Sequence, residues 1–184
     1  MTKQELRNEI LKIRKTISFE GNSESGHKIC DRLISEFELE NYDTFLLFYP
    51  LPGEISLLPL VNQLISIGKK VAFPKVNGDH IDFYIISDLD NDFQEGVFHV
   101  MEPITNERVS FQNALCLVPG LVFDTKFSRL GYGKGYYDRF LSSNPSVTAV
   151  GICANRFFRP EIPSADHDHK MDYICTETTI YKRR

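Results

Sequence analysis

The chain has 184 residues, 42% hydrophobic and 25% charged, with a formal net charge of -4, which is ordinary for one soluble globular domain spanning residues 1–184. A negative chain has no general attraction for nucleic acid or anionic lipid, and no apolar run approaches the ~20 residues that span a bilayer. Because the N-terminal stretch MTKQELRNEI is charged, unlike a signal peptide, we expect a cytoplasmic protein without nucleic-acid or membrane partners.

The cysteines predict buried free thiols in a reducing compartment. Cys30, Cys116, Cys153 and Cys175 are scattered, form no CxxC pair and lie beside aliphatic residues. Disulfides and a zinc site are therefore the less favoured interpretations.

Residues 3–17 are predicted to form an amphipathic helix. Thr2 and Glu5 match the T-x-x-E capping box. Apolar residues then recur at helical spacing, at Leu6, Ile10, Ile13 and Ile17.

A row of cations lies beside this apolar stripe, formed by Lys3, Arg7 and Arg14. Cations in the first helical turn oppose the helix dipole, at a cost of roughly a few tenths of a kcal/mol each at an exposed site. A polyphosphate in front of the helix would explain the row, and so would a basic solvated face. The residues alone do not separate these two interpretations.

The rest of the chain alternates between predicted helices and short apolar strands. Asn77-Gly78 is a hairpin signal between two of the strands. The further helices are predicted at 23–37, at 56–68 and from about 136, and the strands at 44–49, 71–73, 80–86, 114–118, 147–154 and 173–176.

This alternation indicates an α/β fold, a single domain with a mostly parallel central sheet flanked by helices. Ligands of such sheets bind beyond the carboxyl ends of the strands. The segments that directly follow predicted strands are therefore expected to line one rim: 49–54, 73–75, 119–124 and 154–156.

The most distinctive stretch is a glycine loop, Gly131-Tyr132-Gly133-Lys134-Gly135, which runs into the predicted helix at Tyr136. A glycine loop that enters a helix N-terminus favours an anion, because unpaired N–H groups and the helix dipole point the same way. Its glycines could alternatively serve only a tight strand-to-helix turn. The spacing matches neither GxxxxGK[ST] nor GxGxxG, so the loop indicates phosphate but neither a P-loop nor a dinucleotide fold.

Together with other segments, this loop resembles the signature of 5-formyltetrahydrofolate cyclo-ligase, also called methenyltetrahydrofolate synthetase. The resemblance covers nearly the whole chain. It rests on RLGYGKGYYDR preceded by VPGLVFD, KQELR at 3–7, YPLPGEI around Glu54, FPK at 73–75, Glu102-Pro103 and DHKMDYICTE near the end.

The resemblance implies ATP-dependent conversion of 5-formyltetrahydrofolate to 5,10-methenyltetrahydrofolate, with release of ADP and phosphate. The substrate is a small molecule, with or without a polyglutamate tail, and ATP and Mg²⁺ are the implied cofactors. The implied fold is similar to the sugar-isomerase and CoA-transferase type of layering, and we expect a monomer.

The resemblance also assigns the nucleotide site. Lys3, Arg7, Arg129 and Lys134 are expected to act on the phosphates as catalytic cations. The remaining ATP-binding residues are expected to be Gly131, Gly133, Gly135, Tyr136 and Tyr137.

Asp138 and Asp172 are the metal positions that the resemblance implies. Asp138 could instead be an ordinary acidic residue favoured by a helix N-terminus. His167-Asp168-His169 is a weak transition-metal signal, and hard oxygen ligands suit magnesium better.

For the folate, the resemblance points to Glu54, since a carboxylate accepts two parallel hydrogen bonds from a pterin. Tyr49, Tyr132 and Tyr136 are expected to contact the flat ring, and Lys75 the folate tail. Glu54 could otherwise be a helix-start acid, the tyrosines core residues and Lys75 an ordinary exposed lysine. Tyr132 stands where some relatives carry a basic residue.

Two other classes of function compete with the cyclo-ligase. A phosphosugar isomerase would need an acid/base pair, and an acyl-CoA transferase would need a nucleophilic glutamate. No pattern in the sequence indicates either of these. A folate- or nucleotide-binding module without turnover is the alternative outside enzymes.

Overall fold

The computed structural model describes residues 1–17, 19–96, 99–165 and 168–184, with only the backbone described at 19–21. The α-helices in these parts are α1 (Lys3–Arg14), α2 (Phe19–Glu36), α3 (Leu58–Ser66) and α4 (Tyr136–Ser143). The strands are β1 (Thr44–Leu46), β2 (Lys70–Asn77), β3 (His80–Ile86), β4 (Phe93–Glu95), β5 (Met101–Pro103), β6 (Ala114–Pro119), β7 (Val122–Asp124), β8 (Arg129–Leu130), β9 (Thr148–Ile152), β10 (Phe158–Arg159), β11 (Tyr173–Cys175) and β12 (Ile180–Lys182).

The central sheet has seven strands in the order β12-β11-β9-β6-β1-β2-β3. Pairing is parallel from β11 through to β2, and only the outer pairs β2–β3 and β11–β12 are antiparallel. Every residue of β1 and all but the last residue of β6 are buried, as expected for strands covered on both faces. The predicted α/β fold with a mostly parallel sheet is confirmed.

The predicted boundaries differ from the structure at several ends. Helix α1 ends at Arg14 rather than at residue 17, and β2 continues through Pro74 to Asn77 instead of closing at Phe73. The register of β1 with β2 stops at Ala72, so Pro74 has a partner strand only on the β3 side, where a missing N–H is tolerated.

Several short strands lie outside the sequence prediction. Strands β10, β7 and β8 form a small sheet, β4 and β5 pair as a two-stranded antiparallel sheet, and β12 lies at one edge of the central sheet. Each has only two or three residues, too few for a periodic pattern to emerge.

The four cysteines are free and buried, as predicted. Burial raises the pKa of Cys30 to about 11, so this thiol stays protonated at neutral pH. None of the helices in the described ranges has both the length and the apolar character needed to cross a bilayer.

Phe123 of β7 is fully buried between two glycines. A Cβ placed on Gly151 of β9 would lie 2.4 Å from the Phe123 ring, and one placed on Gly120 would lie 2.6 Å from it. The ring therefore has no space to move away from either backbone, and it fixes the turn that follows β6.

Gly151→Ala is expected to lower the free energy of unfolding by about 1–3 kcal/mol, because the added methyl overpacks a site whose neighbour cannot retreat. Urea denaturation measures the change. Ser142→Ala on the exposed face of α4 is the control and should change stability little. Phe123→Leu should reduce the penalty of Gly151→Ala, and strict additivity of the two changes would contradict the packing argument.

Candidate active site

A cavity of about 730 Å³ opens at the carboxyl ends of β1, β2 and β6. One wall is α1, a second is the glycine loop with the start of α4, and a third comes from the segment after β1 and from β2. This is the rim expected for a parallel sheet. Segment 154–156, which was predicted to join it, is not among the described residues that line the cavity.

Most predicted site residues meet in this one cavity. Lys75 and Asp172 do not line it. Those that line it are Lys3, Arg7, Tyr49, Glu54, Arg129, Gly131, Tyr132, Gly133, Lys134, Gly135, Tyr136, Tyr137 and Asp138.

The glycine loop takes its shape from residues with positive φ. Gly133 has φ 100° and Gly135 has φ 71°, which side-chain-bearing residues adopt at a cost. Gly135 is also the N-cap of α4 and offers no side chain to the first amides of the helix. Those N–H groups remain available to an anion in the cavity.

The first two cations of helix α1 both have partners distant in sequence, and Arg7 docks the helix on the glycine loop. Arg7 donates from Nε to the Gly131 carbonyl at 2.9 Å, and its guanidinium lies over Gly133. Lys3 pairs with Asp168, with Nζ 2.6 and 2.8 Å from the two carboxylate oxygens. Two segments more than 120 residues apart in sequence thus share one cavity.

Arg129 is a third cation of the cavity and is held rigidly. It is buried, donates from Nη2 to Asp138 Oδ2 at 2.8 Å, and donates from Nη1 to the Pro119 carbonyl at 3.2 Å. Its guanidinium lies 5.6 Å from the ring centroid of Tyr137. Asp138 therefore has a structural role in addition to any role with a metal.

Arg14 does not belong to the row of Lys3 and Arg7, which corrects the sequence interpretation. It is 7% exposed and lies behind the cavity, where Nη2 donates to the Gly120 carbonyl at 2.5 Å. The C-terminal end of α1 packs against the turn between β6 and β7, so a residue there faces protein rather than solvent.

Glu54 is a buried carboxylate, 8% exposed, in the cavity wall. Its Oε2 accepts the Leu51 N–H at 2.9 Å, and its Oε1 accepts the Tyr132 hydroxyl at 2.9 Å. Burial raises the pKa of Glu54, while the Leu51 amide, Arg14 and Tyr132 act in the opposite direction. Burial and the Glu54 charge raise the pKa of the Tyr132 hydroxyl, so it stays a donor.

The far side of the cavity is apolar, and most of its residues were not predicted from the sequence. It is formed by Phe48, Leu51, Pro74, Val76, Ile81 and Val100. A second buried carboxylate, Glu102, lies among them and accepts the Val76 N–H at 2.9 Å. The sequence feature that could have identified Glu102 as a site residue is the Glu102-Pro103 pair, which is part of the family resemblance.

Lys75 and Asp172 lie elsewhere for identifiable reasons. Pro74 and Val76 face the cavity, so the alternation of β2 turns Lys75 to the opposite face, where Nζ lies 5.9 Å from the Tyr84 ring centroid. Asp172 accepts the Ala149 N–H and pairs with Arg183, both at 2.8–2.9 Å.

Within the described ranges, no group of three or more His, Cys, Asp or Glu side chains could hold a metal ion. His167 lies outside these ranges, so the His167-Asp168-His169 signal cannot be placed. Asp138 is the predicted metal position that reaches the cavity. The cavity therefore combines a cationic half, an apolar half and buried carboxylates, an arrangement suited to a polyphosphate beside a flat organic ligand.

Known proteins resemble this chain along almost its whole length. A family model described as the 5-formyltetrahydrofolate cyclo-ligase family matches residues 1–177. A probable 5-formyltetrahydrofolate cyclo-ligase of Schizosaccharomyces pombe is 28% identical over 172 residues, covering 84% of each chain.

Two solved structures share the fold. The NMR structure of Aquifex aeolicus 5,10-methenyltetrahydrofolate synthetase has a TM-score of 0.85 and 31% identity, covering 99% of this chain and 93% of that one. The Mycoplasma pneumoniae synthetase has a TM-score of 0.76 and 24% identity, covering 96% and 99% of the respective chains.

Asp138→Asn is expected to lower the free energy of unfolding of the ligand-free protein by about 1–3 kcal/mol, because the buried Arg129 loses its compensating charge. Urea denaturation without nucleotide or metal measures this effect. Asp31→Asn on the exposed face of α2 is the matched control. Equal stability of the two variants would show that the Arg129–Asp138 pair contributes nothing to the fold.

Proposed function

The chain belongs to the 5-formyltetrahydrofolate cyclo-ligase family and is a ligase; on that premise we propose that it uses ATP to convert 5-formyltetrahydrofolate to 5,10-methenyltetrahydrofolate. The observation that carries the proposal is the single cavity shared by the cations of α1, the glycine loop and the buried carboxylate of Glu54. A phosphate donor and a folate can meet there.

The triphosphate binds between α1 and the glycine loop. Lys3 and Arg7 approach it from one side, while Arg129, Lys134 and the free amides at the start of α4 approach it from the other. The amides are unoccupied by a capping side chain, which favours an anion at that point. Lys3 pairs with Asp168 in the structure, and a phosphate oxygen would replace this carboxylate as the partner of Lys3.

Mg²⁺ fits this arrangement, since it is commonly held by one or two carboxylates together with substrate phosphates and water. Asp138 would hold it, being a carboxylate in the cavity wall next to the glycine loop. The ion would neutralise charge on the transferred phosphoryl group. Asp172 remains a predicted second Mg²⁺ ligand, although it does not line the cavity.

The folate occupies the apolar half. Glu54 accepts hydrogen bonds from the amino and ring N–H groups of the pterin, and Tyr49, Tyr132 and Tyr136 contact its flat surface. Partial burial of Tyr49 against Phe93, with ring centroids 5.2 Å apart, supports a fixed position for its ring. Lys75 as a contact for the folate tail remains a prediction.

The chemistry needs alignment and charge neutralisation more than proton transfer. The formyl oxygen attacks the γ-phosphorus of ATP and the bond to ADP breaks, which converts a poor leaving group into a phosphate ester. The folate N10 then attacks the formyl carbon and the ring closes. The bond from this carbon to the phosphorylated oxygen breaks, and phosphate leaves together with the proton lost from N10. Lys3, Arg7, Arg129 and Lys134 stabilise the charge that develops on the phosphoryl oxygens.

Mixing the protein with Mg-ATP and 5-formyltetrahydrofolate is expected to produce the absorbance of 5,10-methenyltetrahydrofolate together with stoichiometric ADP. Reactions that lack ATP or lack the folate are the controls. Binding of both ligands without product would instead identify a binding module and overturn the proposed reaction.

Two variants should separate the nucleotide from the folate. Glu54→Gln is expected to raise the KM for 5-formyltetrahydrofolate about tenfold while changing the KM for ATP little, because it loses a charge-assisted acceptor. Lys3→Ala should show the reverse pattern, since it removes a phosphate contact. Steady-state kinetics with each substrate varied in turn measure both effects.

Each variant has a matched control. Glu102→Gln tests the other buried carboxylate of the cavity, and Lys12→Ala tests an exposed lysine of α1 that does not line the cavity. A larger folate defect in Glu102→Gln than in Glu54→Gln would move the pterin to Glu102. Full activity of Lys3→Ala would contradict the nucleotide position.

A further inference from the structure

Arg14 is a buried charge that the proposed reaction does not use. It does not line the 730 Å³ cavity, so it cannot be among the residues that touch either substrate there. It lies instead behind the cavity wall, where its guanidinium is 5.2 Å from the ring centroid of Phe157. Burying a guanidinium removes its charge from water, which costs free energy unless an acidic or hydrogen-bonding partner compensates.

Among the described residues, the acidic partner of Arg14 is Glu54. Arg14 Nη1 lies 3.6 Å from Glu54 Oε1, and the same nitrogen donates to the Tyr132 hydroxyl at 3.2 Å. The other end of the guanidinium is anchored by the carbonyls of Gly120 and Leu121. The position of Arg14 is thus set by the main chain, and its charge lies beside a carboxylate that the Leu51 amide and the Tyr132 hydroxyl also hold.

The charged and titratable groups that face Glu54 come from three elements. Arg14 is on α1, Tyr132 is in the glycine loop and Tyr137 is on α4. Both tyrosines have pKa values raised by burial and remain neutral, so Arg14 is the group of this set that brings positive charge. The Leu51 amide and the Tyr132 hydroxyl add hydrogen bonds but no charge.

We propose that Arg14 is a positioning residue that keeps Glu54 ionised and oriented for the folate, an inference that rests on the proposed role of Glu54. An ionised carboxylate offers two acceptor oxygens to the parallel N–H groups of a pterin, whereas a protonated one offers a donor at one of them. Each oxygen of Glu54 already accepts one internal donor and keeps a second lone pair for the ligand. Arg14 also donates to the Tyr132 hydroxyl and to the turn after β6, so its effect on Glu54 has to be measured at Glu54 itself.

The consequence is a pH dependence with a defined sign. Burial raises the pKa of Glu54 and the Arg14 charge opposes this effect. Removing the charge therefore raises that pKa further, and Glu54 becomes protonated at a higher pH than in the natural protein. The loss of folate binding should be larger at low pH and should recover as the pH rises.

The test compares Arg14→Gln with Arg14→Lys, which keeps the charge. In the ligand-free protein, the ¹³C carboxyl resonance of Glu54, identified by its absence in Glu54→Gln, should titrate at higher pH in Arg14→Gln and near its natural value in Arg14→Lys. In kinetics, Arg14→Gln should lower kcat/KM for 5-formyltetrahydrofolate about tenfold near neutral pH. This loss should shrink as the pH rises, and the change in kcat/KM for ATP should be smaller and independent of pH.

The double variant Arg14→Gln/Glu54→Gln separates positioning from folding. It removes both charges of the buried pair, and in it the pH-dependent part of the Arg14→Gln defect should vanish. If that pH dependence persists, or if the Glu54 titration is unmoved in folded Arg14→Gln, the proposal is overturned. Should Arg14→Gln not fold, Arg14→Lys decides, because a Glu54 titration raised despite the retained charge contradicts the proposal.

Failure of the reaction itself gives a different result. A natural protein that forms no methenyl product would overturn the proposed function, whereas the carboxyl titration needs no substrate. If the protein is active and Glu54→Gln leaves its kinetics with 5-formyltetrahydrofolate unchanged, Glu54 does not bind the folate. The role proposed for Arg14 is then wrong as well.

Discussion

The hydrogen bond from Arg7 to the Gly131 carbonyl joins the first helix to a loop 124 residues later, and the site depends on this junction. Helix α1 lies outside the central sheet. Its place comes from burial of Leu6 and Ile10 together with the anchoring of its far end, where Arg14 binds the turn after β6. With both ends fixed, the cations of its first turns face the glycine loop across one cavity.

Every cation whose contacts are described at this cavity already has an internal acceptor. Lys3 faces Asp168, Arg129 faces Asp138, and Arg7 faces a main-chain carbonyl. These partners limit the repulsion among the clustered positive charges and hold the side chains in place. A triphosphate then meets preorganised donors, so less of its binding energy is spent on ordering them.

Tyr132 shows how the loop and the folate half of the cavity are connected. It belongs to the phosphate-binding loop by sequence, yet its hydroxyl donates to Glu54, the carboxylate proposed to hold the pterin. A basic side chain at this position would bring a formal charge to the same carboxylate. With tyrosine here, the positive charge beside Glu54 comes from Arg14, on the opposite side of the wall.

The sequence by itself determined the α/β class, the mostly parallel sheet and the family, since apolar runs of strand length and the RLGYGKGYYD segment depend only on local order. It could not assign Arg14, because two helical turns of spacing place it beside Arg7 on a wheel while the packing of the helix end turns it into the protein. Nor could it choose the face of Lys75, which depends on where β2 meets β3. Local spacing is encoded along the chain, but which side of an element is covered is decided only when distant segments pack together.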